Sequence, residues 1–162
     1  MRDAGRRRMK LICTIAAALL LGAAPPVGDA RYFLGTWKCA DVTWTFSPLG
    51  EGSGWIRDVY GDPQRPAGTA VIGWVAQLQK WVYRDFHSDG SYADLTSPGL
   101  VDGRWEWTGP YYAVDSDRVM NGKVTYVIVS PMQYDRIFES LENGVLVKHG
   151  GDSCRKTLPA KP

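Results

Sequence analysis

From residue 31 onward the chain runs in short apolar and aromatic stretches, and no segment sustains the spacing of an amphipathic helix with caps. Stretches rich in Val, Ile, Thr, Tyr and Trp predict strands near Thr36 to Phe46, Trp55 to Tyr60, Ala70 to Val75, Trp81 to Phe86, Tyr92 to Thr96, Gly103 to Thr108, Lys123 to Ser130, Tyr134 to Ser140 and Val145 to Lys156. Between them lie Ser88-Asp89-Gly90, Ser97-Pro98-Gly99, Asn121-Gly122 and Glu142-Asn143-Gly144, the residue types that tight hairpins require. Strands joined this way form an antiparallel meander. About eight to ten of them exceed what a flat sheet tolerates, so the expected fold is all-β, a meander closed or nearly closed into a barrel that removes exposed edges. Two stretches stay open: Gly50 to Thr69 as a mobile flap at one barrel end or a plain connection, and Gly109 to Met120 as a short helical turn or a long loop.

The first 30 residues have a different character. Arg6, Arg7, Arg8 and Lys10 precede the apolar run LICTIAAALLLGAA and a small-residue segment ending Gly28-Asp29-Ala30, the order of an export signal. Leu11 to Ala24 falls short of the roughly 20 apolar residues of a membrane span, so a cleaved signal is preferred to a retained anchor. The expected organisation is therefore an export signal over 1–30 and a single barrel domain over 31–162, placed in the periplasm or secreted. Met1 and Met9 both serve as candidate starts, and the paired arginines point only weakly to a twin-arginine route.

Removing the leader changes the charge. Five of the 19 Lys and Arg and two of the 17 Asp and Glu leave with it, so the remainder is nearly neutral. No basic stripe for nucleic acid and no polybasic run for an anionic membrane remains. Cys13 also leaves, and the two cysteines that stay, Cys39 and Cys154, read as a disulfide in an oxidising compartment, with two buried thiols as the alternative.

The stretch Phe33-Leu34-Gly35-Thr36-Trp37-Lys38 resembles the opening of calycin barrels, the superfamily of lipocalins, fatty-acid-binding proteins and nitrobindins. The middle, around Gly73-Trp74, Lys80-Trp81-Val82, Asp89-Gly90-Ser91 and Gly103-Arg104-Trp105, is similar to bacterial lipocalin-like domains of unknown function. The resemblance implies that Trp37 closes one barrel end beneath a basic residue of the last strand, with Arg155 the assigned partner and Lys156 beside it. It also implies that Cys39 and Cys154 lie on neighbouring first and last strands.

Seven tryptophans and eight tyrosines follow the leader. Trp105 and Trp107 share one face of a strand; if that face is inward, they line a cavity with Trp44, Trp74, Trp81 and Tyr126 that suits a flat or apolar ligand. Packing of the barrel interior and an exposed sugar-stacking platform are the alternatives. Asp85 and His87 project to one side of a strand, a pairing that orients an imidazole for general-base work or metal, although no third metal ligand stands at a recognisable spacing. His149, near the C-terminus, matches in position the haem histidine that the nitrobindin resemblance implies. Arg84 and Arg136, if buried, pair with Asp85, Asp135 or Glu139, or anchor a ligand carboxylate. The preferred function is a non-enzymatic exported barrel that binds a small apolar or aromatic molecule without a cofactor or metal. The alternatives are a hydrolase- or isomerase-type enzyme using Asp85 and His87 at the barrel mouth, or an interaction protein with a filled core.

Overall fold

The computed structural model describes residues 27–62 and 64–158, so most of the expected export segment, residues 1–26, lies outside the described residues. A short helix α1 (Val27–Phe33) leads into β1 (Gly35–Cys39), β2 (Val42–Pro48), β3 (Ile56–Asp62), β4 (Arg65–Val75), β5 (Lys80–His87) and β6 (Tyr92–Ser97). Then follow β7 (Leu100–Val101), β8 (Arg104–Tyr112), β9 (Val119–Ser130), β10 (Gln133–Glu142) and β11 (Val145–Lys156). All join one sheet in the order β6-β5-β4-β3-β2-β1-β11-β10-β9-β8-β7, and an added pairing of β6 with β8 closes ten strands into a barrel with β7 outside the ring. Neighbouring strands run antiparallel, as hairpin connections demand. No helix among the described residues is long and apolar enough to cross a membrane.

Period-two alternation builds the wall. Trp44 and Phe46 on β2, Ile56, Asp58 and Tyr60 on β3, and Trp81, Tyr83 and Asp85 on β5 are buried, with β2 and β3 exposing most residues between them. Four expectations change. The run Thr36 to Phe46 is two strands, since Ala40 turns the chain at φ 47° with no Gly or Asn to announce it. The stretch Gly50 to Thr69 is no flap: most of it is barrel wall in β3 and β4. Gly109 to Met120 is half strand, the ends of β8 and β9, with a six-residue connection between them. Asn121-Gly122 is no turn either, since it lies within β9 opposite Gly109 and Pro110. Glycine serves close approach here: a Cβ on Gly109 would collide with the Asp94 carbonyl at the closure of β8 on β6.

The seam between first and last strands carries the predicted staple. Cys39 faces Cys154 across β1 and β11, and a disulfide joins them over a sequence separation of 115. Closing a loop of that length removes denatured-state entropy worth about 4–5 kcal/mol in the chain-entropy account. Trp37 is fully buried, but its cation is Lys156, whose Nζ lies 5.1 Å from the ring centroid. Arg155 is exposed and pairs with Lys38, so it stands on the opposite face from the indole. A one-residue offset in a strand reverses the side of the sheet.

Helix α1 plugs this end. Phe33 packs against Phe46, Trp105, Tyr126 and Tyr134 at centroid distances of 5.8, 5.4, 5.4 and 5.2 Å. The Trp37 indole N–H donates to the Phe33 carbonyl at 2.6 Å and ties the helix end to the barrel. The expected export boundary after Ala30 falls inside α1, where Ala30 is itself buried.

Candidate functional site

The barrel interior divides along its axis. At the helix end, Trp81 meets Trp105 at 5.2 Å and Trp105 stacks on Trp107 at 4.8 Å, filling the space with rings. Beyond Trp107 the interior opens into a cavity of about 390 Å³ walled by Trp44, Tyr83, Leu95, Trp107, Tyr126 and Phe138. The exposed Met120 and half-exposed His149 mark its mouth. Trp44, Trp107 and Tyr126 thus stand where a cavity wall was expected. Trp74, Trp81 and Trp105 do not line it. Trp81 and Trp105 share the inward face but sit deeper toward α1, while Trp74 is half-buried with its edge on Trp81 at 6.0 Å.

One wall of the cavity is polar. The Tyr60 hydroxyl lies 3.1 Å from Asp85 Oδ1 and 3.0 Å from His87 Nδ1, and His87 Nε2 lies 3.3 Å from Asp85 Oδ2. The Tyr83 hydroxyl sits 3.4 Å from Asp85 Oδ2 and 3.5 Å from Asp58 Oδ2. An imidazolium donating to Asp85 and Tyr60, with Tyr60 donating to Asp85, satisfies every contact around His87. The hydrogen bond to Asp85 raises the His87 pKa above its ordinary value against the opposing effect of burial, which favours that pattern. Tyr60 reaches this position because Gly68 lies beneath it on β4, next to His87 on β5. A Cβ there would collide with the Tyr60 hydroxyl.

Behind the cluster lies Asp58, fully buried, with Oδ1 unpartnered among the described residues. Burial first, and then the charge of Asp85, push its pKa well above the carboxylate range and keep it protonated. Burial likewise holds the phenols of Tyr60, Tyr83 and Tyr126 in their neutral form.

The two arginines pair with other carboxylates than expected, although Arg136 does line the cavity. Arg136 is buried and pairs bidentately with Asp152, Nε to Oδ1 at 2.7 Å, because these residues face each other across β10 and β11. Asp135 points to the opposite face. The Arg136 guanidinium also covers the Trp44 ring at 4.3 Å. Arg84 pairs with Asp94 across β5 and β6 instead of with Asp85, which follows it in sequence and so faces inward.

His149 is the extra residue of a bulge in β11, unpaired between Lys148 and Gly150. The bulge turns it into the cavity wall, with Nε2 2.6 Å from Ser140 Oγ and 3.3 Å from Glu142 Oε1. Ser140 also donates to Glu142 at 2.9 Å, which leaves the imidazole as the donor in its contact with Ser140. Among the described residues no group of three or more His, Cys, Asp or Glu is placed to hold a metal ion.

Asp58, Tyr60, Tyr83 and Gly68 were absent from the sequence-derived site. For Asp58 a signal was present in Ile56-Arg57-Asp58-Val59-Tyr60: strict alternation places a carboxyl on the apolar face. No protein-family model matches the chain, and no curated protein matches it either.

Proposed function

We propose that this is an exported, calycin-like binding barrel that holds a small apolar or aromatic molecule in the open half of its interior. The observation that carries this is the cavity of about 390 Å³ walled by indole, phenol and aliphatic side chains beside a half that is solidly packed. A barrel built only to be stable would extend the packing to both ends, because each unfilled volume costs stability. The cavity lies in the usual range for small-molecule sites and offers stacking surfaces that favour flat rings. The Cys39–Cys154 disulfide supports placement in the periplasm or outside the cell, where such bonds persist.

The test is titration with N-phenyl-1-naphthylamine, a neutral apolar fluorophore. Saturable emission enhancement at one site is expected, and Val124→Phe, which enlarges a wall residue between Trp107 and Phe138, abolishes it while the protein remains folded. Absence of saturable binding by the wild type, or binding unchanged in Val124→Phe, overturns the proposal.

A further inference from the structure

A largely apolar cavity has little structural use for a carboxylate, an imidazole and a phenol on one wall. Burying Asp85 at 7% exposure costs solvation that an apolar residue of similar volume would not cost, and the cluster gives up packing around Gly68 to seat Tyr60. The three groups lie within 3.0–3.3 Å of one another and all line the cavity. That is the scale of the separation between a carbonyl oxygen and the hydrogen on its α-carbon, so one carbonyl unit can meet a base and a donor at once.

We propose that Asp85, His87 and Tyr60 form a cofactor-independent proton-transfer site that acts on a flat ketone bound in the cavity; this rests on the binding reading above. The α C–H bond breaks, its proton passing to the Asp85 carboxylate and its electron pair forming a carbon–carbon double bond. The carbonyl π electrons move onto oxygen; protonation of Asp85 frees the His87 Nε2–H and the Tyr60 hydroxyl that it accepts from in the resting site, and these donate to the enolate oxygen instead. Return of the proton from Asp85 to the α-carbon regenerates the ketone, and return to a conjugated carbon gives an isomer. Nothing is oxidised or reduced and no co-reactant is consumed. Negative charge moves from Asp85 to an oxygen beside the His87 cation, so the site stays neutral throughout, as an apolar cavity requires. Gly68 is a positioning residue: it acts by letting Tyr60 reach the other two.

The experiment follows 1-indanone in D₂O by proton NMR, reading loss of the α-hydrogen signal, with quenching of tryptophan fluorescence as a separate measure of its binding. The wild type is expected to accelerate exchange at least about 100-fold over buffer, as positioned acid–base groups do. Asp85→Asn and His87→Gln should each lose at least about tenfold of that rate with 1-indanone still bound. Gly68→Ala should lower the rate similarly, a loss that Gly68→Ser shares and the exterior control Arg155→Gln does not. If Asp85→Asn fails to fold, His87→Gln carries the test, since that side chain is 26% exposed and tolerates exchange. Bound 1-indanone with no exchange above buffer overturns the proton-transfer proposal and leaves the binding reading standing. Exchange that survives both Asp85→Asn and His87→Gln also overturns it. Failure of both 1-indanone and N-phenyl-1-naphthylamine to bind overturns the binding reading and this inference with it.

Discussion

The two halves of this barrel use the same aromatic residues for different ends. At the helix end Phe33, Trp37, Trp81, Trp105 and Tyr134 fill the interior ring against ring. At the other end Trp44, Trp107 and Tyr126 stand around a void, and a polar cluster occupies one wall. Residue type does not distinguish them. What differs is whether an element enters the barrel: α1 inserts Phe33 from below, and among the described residues no counterpart fills the space above Trp107. Stability is concentrated in the packed half, which also carries the disulfide, while the open half spends stability on the cavity and buried acids.

The sharpest way to break that contrast is a pair of truncations. Trp105→Ala removes a side chain packed among rings and is expected to cost about 3–5 kcal/mol in urea unfolding. Trp107→Ala enlarges an existing cavity and is expected to cost clearly less, about 2–3 kcal/mol, as the surroundings already lack some contacts. Equal losses would mean that the halves do not differ energetically.

Asp58 sharpens the comparison through pH. Its folded-state pKa is raised, so the folded protein keeps a proton that the unfolded chain releases above about pH 4. The stability Asp58 allows is therefore fully present below that pH and falls as pH rises toward the folded value. Asp58→Asn mimics the protonated acid without the liability, and is expected to raise stability at pH 7 and to change little at pH 4. Denaturant midpoints of both proteins across that range check it; a variant advantage that shrinks as pH rises would reverse the assignment.

The smallest effect concerns the seal of the packed end. Lys156→Gln removes the cation over Trp37 and is expected to cost about 0.5–1 kcal/mol, whereas Arg155→Gln should be neutral within error. Thermal melts of the two variants side by side decide which basic residue closes the barrel.

Much of the architecture was legible in the chain. Alternating runs and Gly-containing turns placed most strands, and the even cysteine count beyond residue 30 anticipated the staple. Glycine misled where it does not turn the chain, as at Gly109, which closes on β6, and at Gly122, which lies within β9 opposite Gly109, and the Ala40 turn carried no glycine or asparagine. For the site, Asp85 and His87 were visible as a same-face pair. Tyr83 shares their face on β5 and was readable by the same alternation, but the contact with Tyr60 was not, because contacts between separate strands depend on register, which local pattern does not encode.

Sequence alone determined the strand-forming runs, the shared faces of Trp105 with Trp107 and Asp85 with His87, and the pairing of two cysteines, because each follows from local period and composition. The tertiary structure alone decided which of these residues surround empty space. Depth along the barrel axis depends on how ten strands stagger as they close and on what plugs each end. That stagger set Trp107 at the floor of a cavity and Trp105 in the packing beneath it, and it brought Asp58, Tyr60, Asp85 and His87 from two strands separated by β4 into one cluster.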